Sequence, residues 1–320
     1  MLAGTLFALA AGLAWGFVFV APLLLPEYPA VLLSFGRYLA FGIVALPLGF
    51  IDRRRLRLLS RADWLAALEL ALIGNIVYYL LLAAAIQRAG GPLPTMIIGT
   101  LPVVIALVSN RRDARRDGRL PWARLAPSLL AIGLGIGLVN HAELGALEPG
   151  ADLAGHALGA LLAVGAVACW TWYPIRNADW LRAHADRSPT TWATAQGLAT
   201  LPLALAGYLG FLIWSSVVGS GGFALPLGPR PGAFVGVMAV MAFFASWLGT
   251  LCWNQASQRL PTTLVGQLIV FETLFALLYA FILRGQAPGG VTLAGIALLV
   301  AGVTWALRAK PERLAASAAH

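Results

Sequence analysis

Ten apolar runs follow one another through the chain, separated by charged residues, glycine or proline. A membrane-spanning helix needs roughly 20 predominantly apolar residues, and runs of this length with few charges predict such helices. The sixth and eighth runs are the weakest, because they end in polar and aromatic residues around Trp170–Arg176 and Trp253–Gln255. The predicted spans are 3–24, 31–51, 63–86, 93–110, 122–140, 155–175, 190–214, 233–252, 263–284 and 289–308.

The composition of the chain excludes a soluble enzyme. Apolar residues make up 60% of its 320 residues and charged residues only 11%, whereas a soluble domain is about 25% charged. The apolar amino terminus has no Lys or Arg before its hydrophobic stretch, so we interpret it as a retained helix rather than a cleaved signal peptide. We therefore expect an all-α polytopic membrane protein with ten transmembrane helices and no sizeable soluble domain.

The basic residues fall unevenly between the two ends of these helices. Cytoplasmic loops hold the excess of Lys and Arg in membrane proteins. With the amino terminus inside, 18 of the 22 basic residues lie on the inner side, three lie outside, and Arg37 lies within the second span. The sequence thus predicts that both termini are cytoplasmic. It also favours a lipid surface over nucleic acid as the partner of the net charge of +9.

An acidic loop over residues 143–152 separates two halves that resemble each other. Trp15 in the first span corresponds to Trp170 in the sixth, the first span of the second half. A unit with an odd number of helices enters the membrane in opposite senses in its two copies, which gives the inverted repeat of many secondary transporters. The predicted division is a first repeat at 1–142, a second repeat at 153–310 and a short basic cytoplasmic tail at 311–320.

Motifs in both halves resemble the EamA type of the drug/metabolite transporter superfamily. Leu13–Phe19 and Ser34–Tyr38 are similar to the family's small-Trp-Gly opening and to its Arg-aromatic signature in the second helix. Cys252–Ala256 and Val270–Ala276 match in the second half, although the family usually reads Glu-Pro where this chain has Glu272-Thr273. The resemblance implies a ten-helix secondary transporter in the bacterial inner membrane.

Within that superfamily, two further segments are most similar to YddG-type exporters of aromatic amino acids. These segments are Gly74–Tyr79 and Pro94–Gly99. The resemblance implies export of Phe, Tyr and Trp, and of related amphipathic compounds. The alternative is a multidrug or quaternary-amine exporter of methyl viologen-like compounds, because aromatic walls accept planar cations as well as rings.

Neutral polar and aromatic groups converge on two predicted spans that are repeat mates. Asn75 begins one stripe and Ser246 the other, and each stripe follows helical i, i+3, i+4, i+7 spacing. We interpret the stripes as the walls of a central cavity; hydrogen bonding between helices is the alternative. The candidate substrate-binding residues are Trp15, Asn75, Tyr78, Tyr79, Thr95, Met96, Trp170, Ser246, Thr250, Trp253, Gln267 and Glu272.

Three charged residues, Arg37, Glu69 and Glu272, lie well inside predicted spans, where a charge is costly. Glu69 lies next to the arginine-rich loop, and we interpret it as part of an ion pair that snorkels to the interface. Glu272 lies nine residues past the start of its span, roughly 14 Å into the bilayer at 1.5 Å per residue. It is either a cavity group for an ammonium or proton, or a carboxyl that packs helices together. Arg37 is either an anchor for a substrate carboxylate or a side chain that snorkels to the outer interface.

The remaining expectations concern motion and chemistry. Gly99 and Pro102 predict a hinge in the fourth span, because irregular backbone is tolerated beside a cavity. With one midplane carboxylate and no intramembrane His, we expect facilitated transport rather than strict proton antiport. The sequence shows no clustered His, Asp or Glu for catalysis, so we expect no enzyme activity, cofactor or metal. We expect a monomer, with a dimer as the alternative.

Overall fold

The computed structural model describes residues 1–89, 94, 97–112, 121–144, 153–219, 223–285 and 287–308, and these contain helices and turns but no strand. Apolar runs become helices here because a helix satisfies all its backbone groups internally, as a bilayer requires. The predicted basic tail at 311–320 lies outside the described residues. The helices are α1 (Leu2–Leu24, with a turn at Gly16), α2 (Ala30–Ile51), α3 (Arg53–Leu56), α4 (Arg61–Ala89), α5 (Leu101–Arg112), α6 (Trp122–Leu144), α7 (Leu153–Ala183), α8 (Pro189–Val218), α9 (Pro231–Arg259), α10 (Thr262–Leu268), α11 (Val270–Arg284) and α12 (Gly290–Arg308).

Seven helical segments among the described residues are long and apolar enough to cross a membrane. Shorter apolar helices at Leu125–Leu138 and Gly290–Gly302 accompany them. The prediction of an all-helical polytopic membrane protein is therefore confirmed. The count of ten spans and the cytoplasmic position of the termini stay predictions. The seven segments are Leu2–Leu24, Ala30–Ile51, Arg61–Ala89, Ala154–Ala183, Pro189–Val218, Pro231–Arg259 and Thr262–Leu283.

The two runs with weak ends form helices that are longer than the sequence predicts. The sixth run continues beyond 175 to Ala183, and the eighth continues beyond 252 to Arg259. The amide of Asn177 in α7 donates a 2.8 Å hydrogen bond to the side-chain oxygen of Asn254 in α9. Because these buried polar groups find hydrogen-bond partners inside the bundle, polar residues extend the helices instead of ending them.

Close packing of α1 against α11 positions one of the charged residues. A Cβ atom at Gly12 would lie 3.0 Å from the backbone nitrogen of Glu272. Only glycine lets the two backbones approach so closely, as in other membrane helix pairs with small residues at the contact. This contact brings the start of α11, and with it Glu272, against the middle of α1.

Two loops meet at the end of the bundle opposite the arginine-rich loop at 53–61. Arg230 forms an ion pair with Glu27, in which Nη2 donates to Oε2 at 2.9 Å. The Tyr28 hydroxyl donates to the carbonyl of Leu227 at 2.9 Å, and its ring stacks on Phe234 at a centroid distance of 4.8 Å. We call Glu27, Tyr28 and Arg230 the loop latch, because together they join the first half of the chain to the second.

Candidate functional site

The third and eighth predicted spans share a local distortion. Residues Ala71–Val77 of α4 and Met241–Leu248 of α9 are π-helical. Each π segment begins ten residues after its helix does, at 71 after 61 and at 241 after 231. Such wide turns often mark functional sites, and these two carry Asn75 and Ser246.

A small enclosed cavity lies where the two π segments face the aromatic residues of α1 and α7. Its volume is about 20 Å³, which is room for about one water molecule. In this conformation the helices would have to separate before the cavity could hold an aromatic side chain. Its lining residues are Trp15, Val18, Arg37, Tyr38, Gly74, Asn75, Tyr78, Trp170, Tyr173, Ala245, Ser246, Thr250 and Glu272.

Four of the lining residues form what we call the aromatic wall: Trp15, Tyr78, Trp170 and Tyr173. Trp15 meets Trp170 edge to face, with ring centroids 4.7 Å apart. Tyr78 and Tyr173 lie 5.5 and 5.4 Å from the ring of Trp170. These distances lie within the range of favourable aromatic contacts, so the wall offers surfaces on which a planar group can pack.

Arg37 is buried beside the aromatic wall, with 4% of its surface exposed. Its Nε donates a 3.1 Å hydrogen bond to the hydroxyl of Ser246 in the π segment of α9. Its guanidinium lies over the rings of Tyr38 and Tyr79, at 4.9 and 4.7 Å from their centroids. The interpretation that Arg37 snorkels to the outer interface is therefore wrong, because its contacts direct the charge inward.

The cavity contains hydrogen-bonding groups that the described chain does not satisfy. The Nη1 of Arg37 and the hydroxyl of Tyr78 are buried with no hydrogen-bond partner among the described residues. Glu272 is only 3% exposed, and within that part of the chain none of its oxygens lies within 4.0 Å of the Arg37 guanidinium. A guanidinium and a carboxyl group thus border the same cavity without forming a direct ion pair.

Three of the candidate residues lie outside the cavity lining. Tyr79 packs behind Arg37 and donates a 3.4 Å hydrogen bond to the carbonyl of Val18. Trp253 packs behind the aromatic wall, 5.2 Å from the ring of Trp15. These two residues follow the π segments, as do Tyr78 and Thr250, which do line the cavity. Gln267 lies elsewhere, where its Oε1 accepts a hydrogen bond from Ser128 at 3.1 Å.

The other candidates belong to the fourth predicted span. Thr95 and Met96 lie outside the described residues. Gly99 lies in a turn just before α5, and Pro102 is the second residue of α5. A proline is tolerated in the first turn of a helix because its missing N–H has no partner there. The proposed hinge therefore coincides with a turn in the backbone.

Sequence reasoning missed several lining residues, including Tyr38 and Tyr173. Tyr173 lies three residues after Trp170, on the same face of α7, so its neighbour was the signal that could have found it. Tyr38 directly follows Arg37 within the Arg-aromatic motif. Gly74 has no side chain to suggest a role, and only the tertiary contact with the Tyr173 ring reveals one.

Beneath the aromatic wall, towards the arginine-rich end, lies a buried polar layer of Asn177, Trp192, Gln196 and Asn254. Tyr173 connects the cavity to it, because its hydroxyl donates to Oε1 of Gln196 at 2.8 Å. The side-chain oxygen of Asn177 accepts hydrogen bonds from Gln196 at 3.1 Å and from the Trp192 indole at 2.9 Å. The layer closes this side of the cavity with directional bonds that can be broken and remade.

Comparisons with known proteins identify the fold and the family. The model of the EamA-like transporter family matches residues 2–111. The inner membrane protein YtfF of Escherichia coli (strain K12) is 55% identical over 313 residues, which cover 98% of this chain and 97% of YtfF. The chain belongs to the EamA-like transporter family. A crystal structure of a protein with 19% identity covers 95% of this transporter and 96% of its own chain, with a TM-score of 0.71, and shows the same fold.

Membership in the EamA-like family establishes the general role of the protein. It is a multi-pass protein of the bacterial inner membrane. As a membrane transporter, it has a small-molecule substrate. The resemblance to the drug/metabolite transporter superfamily is thereby confirmed. The resemblance of this EamA-like transporter to exporters of aromatic amino acids stays a prediction.

Proposed function

We propose that this EamA-like transporter exports the aromatic amino acids Phe, Tyr and Trp by alternating access. The observation that carries the proposal is the placement of Arg37 and Glu272, unpaired, around one cavity beside the aromatic wall. A zwitterionic amino acid supplies a carboxylate for the guanidinium and an ammonium for Glu272. Its ring then packs on Trp15 and Trp170 of the aromatic wall.

The architecture we propose has ten spans in two inverted repeats, 1–142 and 153–310, with both termini in the cytoplasm. The matching π segments of α4 and α9 support equivalent roles for the two halves. The polar layer and the loop latch close opposite ends of the cavity, so the structure corresponds to an occluded state. Opening one end at a time would then carry the substrate across the membrane. The transporter would act as a monomer.

The alternative substrate class is a multidrug or quaternary amine. Aromatic walls suit such cations, and Glu272 would attract them. Arg37 argues against this substrate class. Its side chain is only 4% exposed and borders the cavity, where the guanidinium repels a second cation. A substrate that carries both charges satisfies Arg37 and Glu272 together.

We also propose facilitated transport rather than strict proton antiport. Among the described residues, Glu272 is the acidic residue that lines the cavity, and no histidine of that part of the chain lines it. A long proton relay would need further titratable groups in the bundle. If flux in liposomes followed an imposed pH gradient and Glu272→Gln abolished that dependence, this part of the proposal would be wrong.

Uptake of labelled substrates into proteoliposomes tests the proposed substrate class. We expect transport of Phe to exceed that of phenylethylamine, which lacks the carboxylate, and of 3-phenylpropanoate, which lacks the ammonium. Loss of one hydrogen bond to a charged group costs about 1.5–3 kcal/mol, so Arg37→Gln should raise the KM for Phe by about 10- to 100-fold. Glu272→Gln should also raise the KM for Phe. Phenylethylamine should compete with Phe more weakly in that variant than in the wild-type transporter.

Arg259→Gln is the matched control, because Arg259 is remote from the cavity and bonded to Gln255. It should leave the KM for Phe unchanged. Transport of a cationic dye without transport of any amino acid would overturn the proposed substrate and leave the multidrug alternative.

A further inference from the structure

A second hollow lies on the surface of the bundle, where the start of α4 meets the middle of α8. Its volume is about 500 Å³. Arg61, Trp64, Leu65 and Leu68 line one side with the spacing of a single helical face. Leu198 and Pro202 of α8 line the other side. We call this hollow the α4–α8 groove.

The groove faces the membrane and runs from an interface into the bilayer. Leu65 is 66% exposed although it belongs to a membrane-spanning helix, so lipid covers it. From Arg61 to Leu68 the helix advances roughly 10 Å at 1.5 Å per residue, with the charged residue at the mouth and leucines below. Trp64 lies between them, at the depth where tryptophan favours the interface.

Proline contributes to the shape of the groove. Pro202 lies in the interior of α8 and has no N–H to donate to the carbonyl of Leu198, one turn earlier. One backbone hydrogen bond of α8 is therefore missing at these two residues, although the helix is continuous from Pro189 to Val218. The rigid ring of Pro202 cannot swing to fill the groove.

The mouth of the groove adjoins a loop with an excess of positive charge. Five arginines occupy residues 53–61, flanked by Asp52 and Asp63. Asp52 accepts a hydrogen bond from Thr191 and lies 3.7 Å from Arg55. Asp63 is directed inward, where it accepts a 2.9 Å hydrogen bond from the Trp180 indole.

The other arginines of this loop have no acidic partner among the residues that the structure describes. Within the described part of the chain, no carboxylate oxygen lies within 4.0 Å of Arg53, Arg54, Arg57 or Arg61. Each arginine near a membrane surface attracts anionic lipid by about 1 kcal/mol. The protein therefore presents several uncompensated guanidinium groups at the head of an apolar groove.

We propose that the α4–α8 groove binds an anionic phospholipid. The acyl chain lies against Leu65, Leu68 and Pro202, and the phosphate contacts Arg61 with the neighbouring arginines of the loop. A zwitterionic lipid fits less well, because its ammonium or choline group would face the same cluster of cations. The inference depends on the inner-membrane location of the protein and not on the proposed substrate.

Native mass spectrometry of the full-length protein tests this site. The protein in detergent is titrated with phosphatidylglycerol or with phosphatidylcholine of the same acyl chains. The lipid that stays bound after release from the detergent is then measured. We expect phosphatidylglycerol to be retained more strongly, and Arg61→Gln to weaken it by about fivefold, the factor that one interfacial arginine gives. Arg53→Gln removes the same charge from the same loop but lies outside the groove lining, so it should weaken binding less than Arg61→Gln.

Three comparisons can overturn the proposal. Equal losses in the two variants would show general surface attraction rather than a site. Equal retention of both lipids by the wild-type protein would show that the headgroup charge is not recognised. The third comparison uses the wild-type protein and glycerophosphoglycerol, which is the headgroup without acyl chains. If this compound displaced phosphatidylglycerol as well as the intact lipid does, the apolar groove would not contribute to binding.

Discussion

Arg37 illustrates how a single residue acquires its role from its neighbours. Its place in an apolar run allows either an inward or an interfacial side chain, and both satisfy the cost of a charge in a membrane. The bond to Ser246 and the two tyrosine rings hold the guanidinium inward. Ser246 lies 209 residues away in the chain, so no local pattern could have selected this orientation.

Gly74 provides a test at the same scale. A Cβ atom there would lie 2.1 Å from Cδ2 of Tyr173, so Gly74→Ala should push the tyrosine ring out of the aromatic wall. Overpacking of this kind costs about 1–3 kcal/mol. We expect a lower thermal stability in detergent and slower substrate transport in proteoliposomes.

Gly133→Ala is the control for Gly74→Ala, because a Cβ at Gly133 meets nothing within 4 Å. It should behave as the wild-type protein does. Wild-type stability and transport in Gly74→Ala would show that the Tyr173 ring moves without consequence, contrary to its assigned place in the wall.

At the scale of elements, apolar length predicted where most helices begin and end; the exceptions are the two runs that polar residues extend and the fourth run, in which a turn at 99–100 precedes the start of α5 at Leu101. Asn177 and Asn254 made the ends of two runs look like loops, although the amide of Asn177 donates a hydrogen bond to the side-chain oxygen of Asn254 across the bundle. The π segments had no signal in hydrophobic periodicity, since a single wide turn barely alters the pattern. Those segments carry Gly74, Asn75, Ala245 and Ser246 of the cavity lining.

The polar layer predicts a measurable effect on stability. Asn254→Ala removes the acceptor for the buried amide of Asn177, and an unsatisfied buried donor costs about 1–3 kcal/mol. We expect thermal unfolding in detergent at a lower temperature than for the wild-type protein. Gln255→Ala, which removes a contact with the exposed Arg259 instead, should have little effect. Equal shifts in both variants would argue against a special role for the layer.

At the scale of the whole molecule, one set of contacts joins the two halves of the chain and another joins helices within the second half. The loop latch joins the loop after α1 to the loop before α9, while the polar layer joins α7, α8 and α9 at the other side of the cavity. Both closures are formed at once in this structure. Alternating access requires that each can open while the other stays closed.

The latch should depend on pH with a defined sign. The hydrogen bond from Arg230, together with a backbone hydrogen bond of Glu27 itself, lowers the pKa of the Glu27 carboxyl below its ordinary value of 4.5. A lowered pKa means that the ion pair stabilises the closed loops above pH 4.5 and stops doing so as the pH falls through the lowered value. The effect is small, because the pair is exposed and screened by salt.

Glu27→Gln isolates this contribution. The difference in thermal stability between wild-type and variant protein should be constant near neutral pH and should vanish at pH values well below 4.5. A difference that persisted in acid would assign the effect to something other than the ionised carboxylate. Glu69→Gln serves as a control, since in the described chain Glu69 has no ion pair to lose.

The sequence by itself determined the class of the molecule, because apolar runs of membrane-spanning length have few stable alternatives to helices. It also determined the family through short motifs around Trp15, Arg37 and Glu272. Only the tertiary structure decided which of the deep residues meet. Side chains of α1, α2, α4, α7, α9 and α11 reach one cavity through helix packing and two π turns, and such long-range contacts leave no periodic trace in the chain.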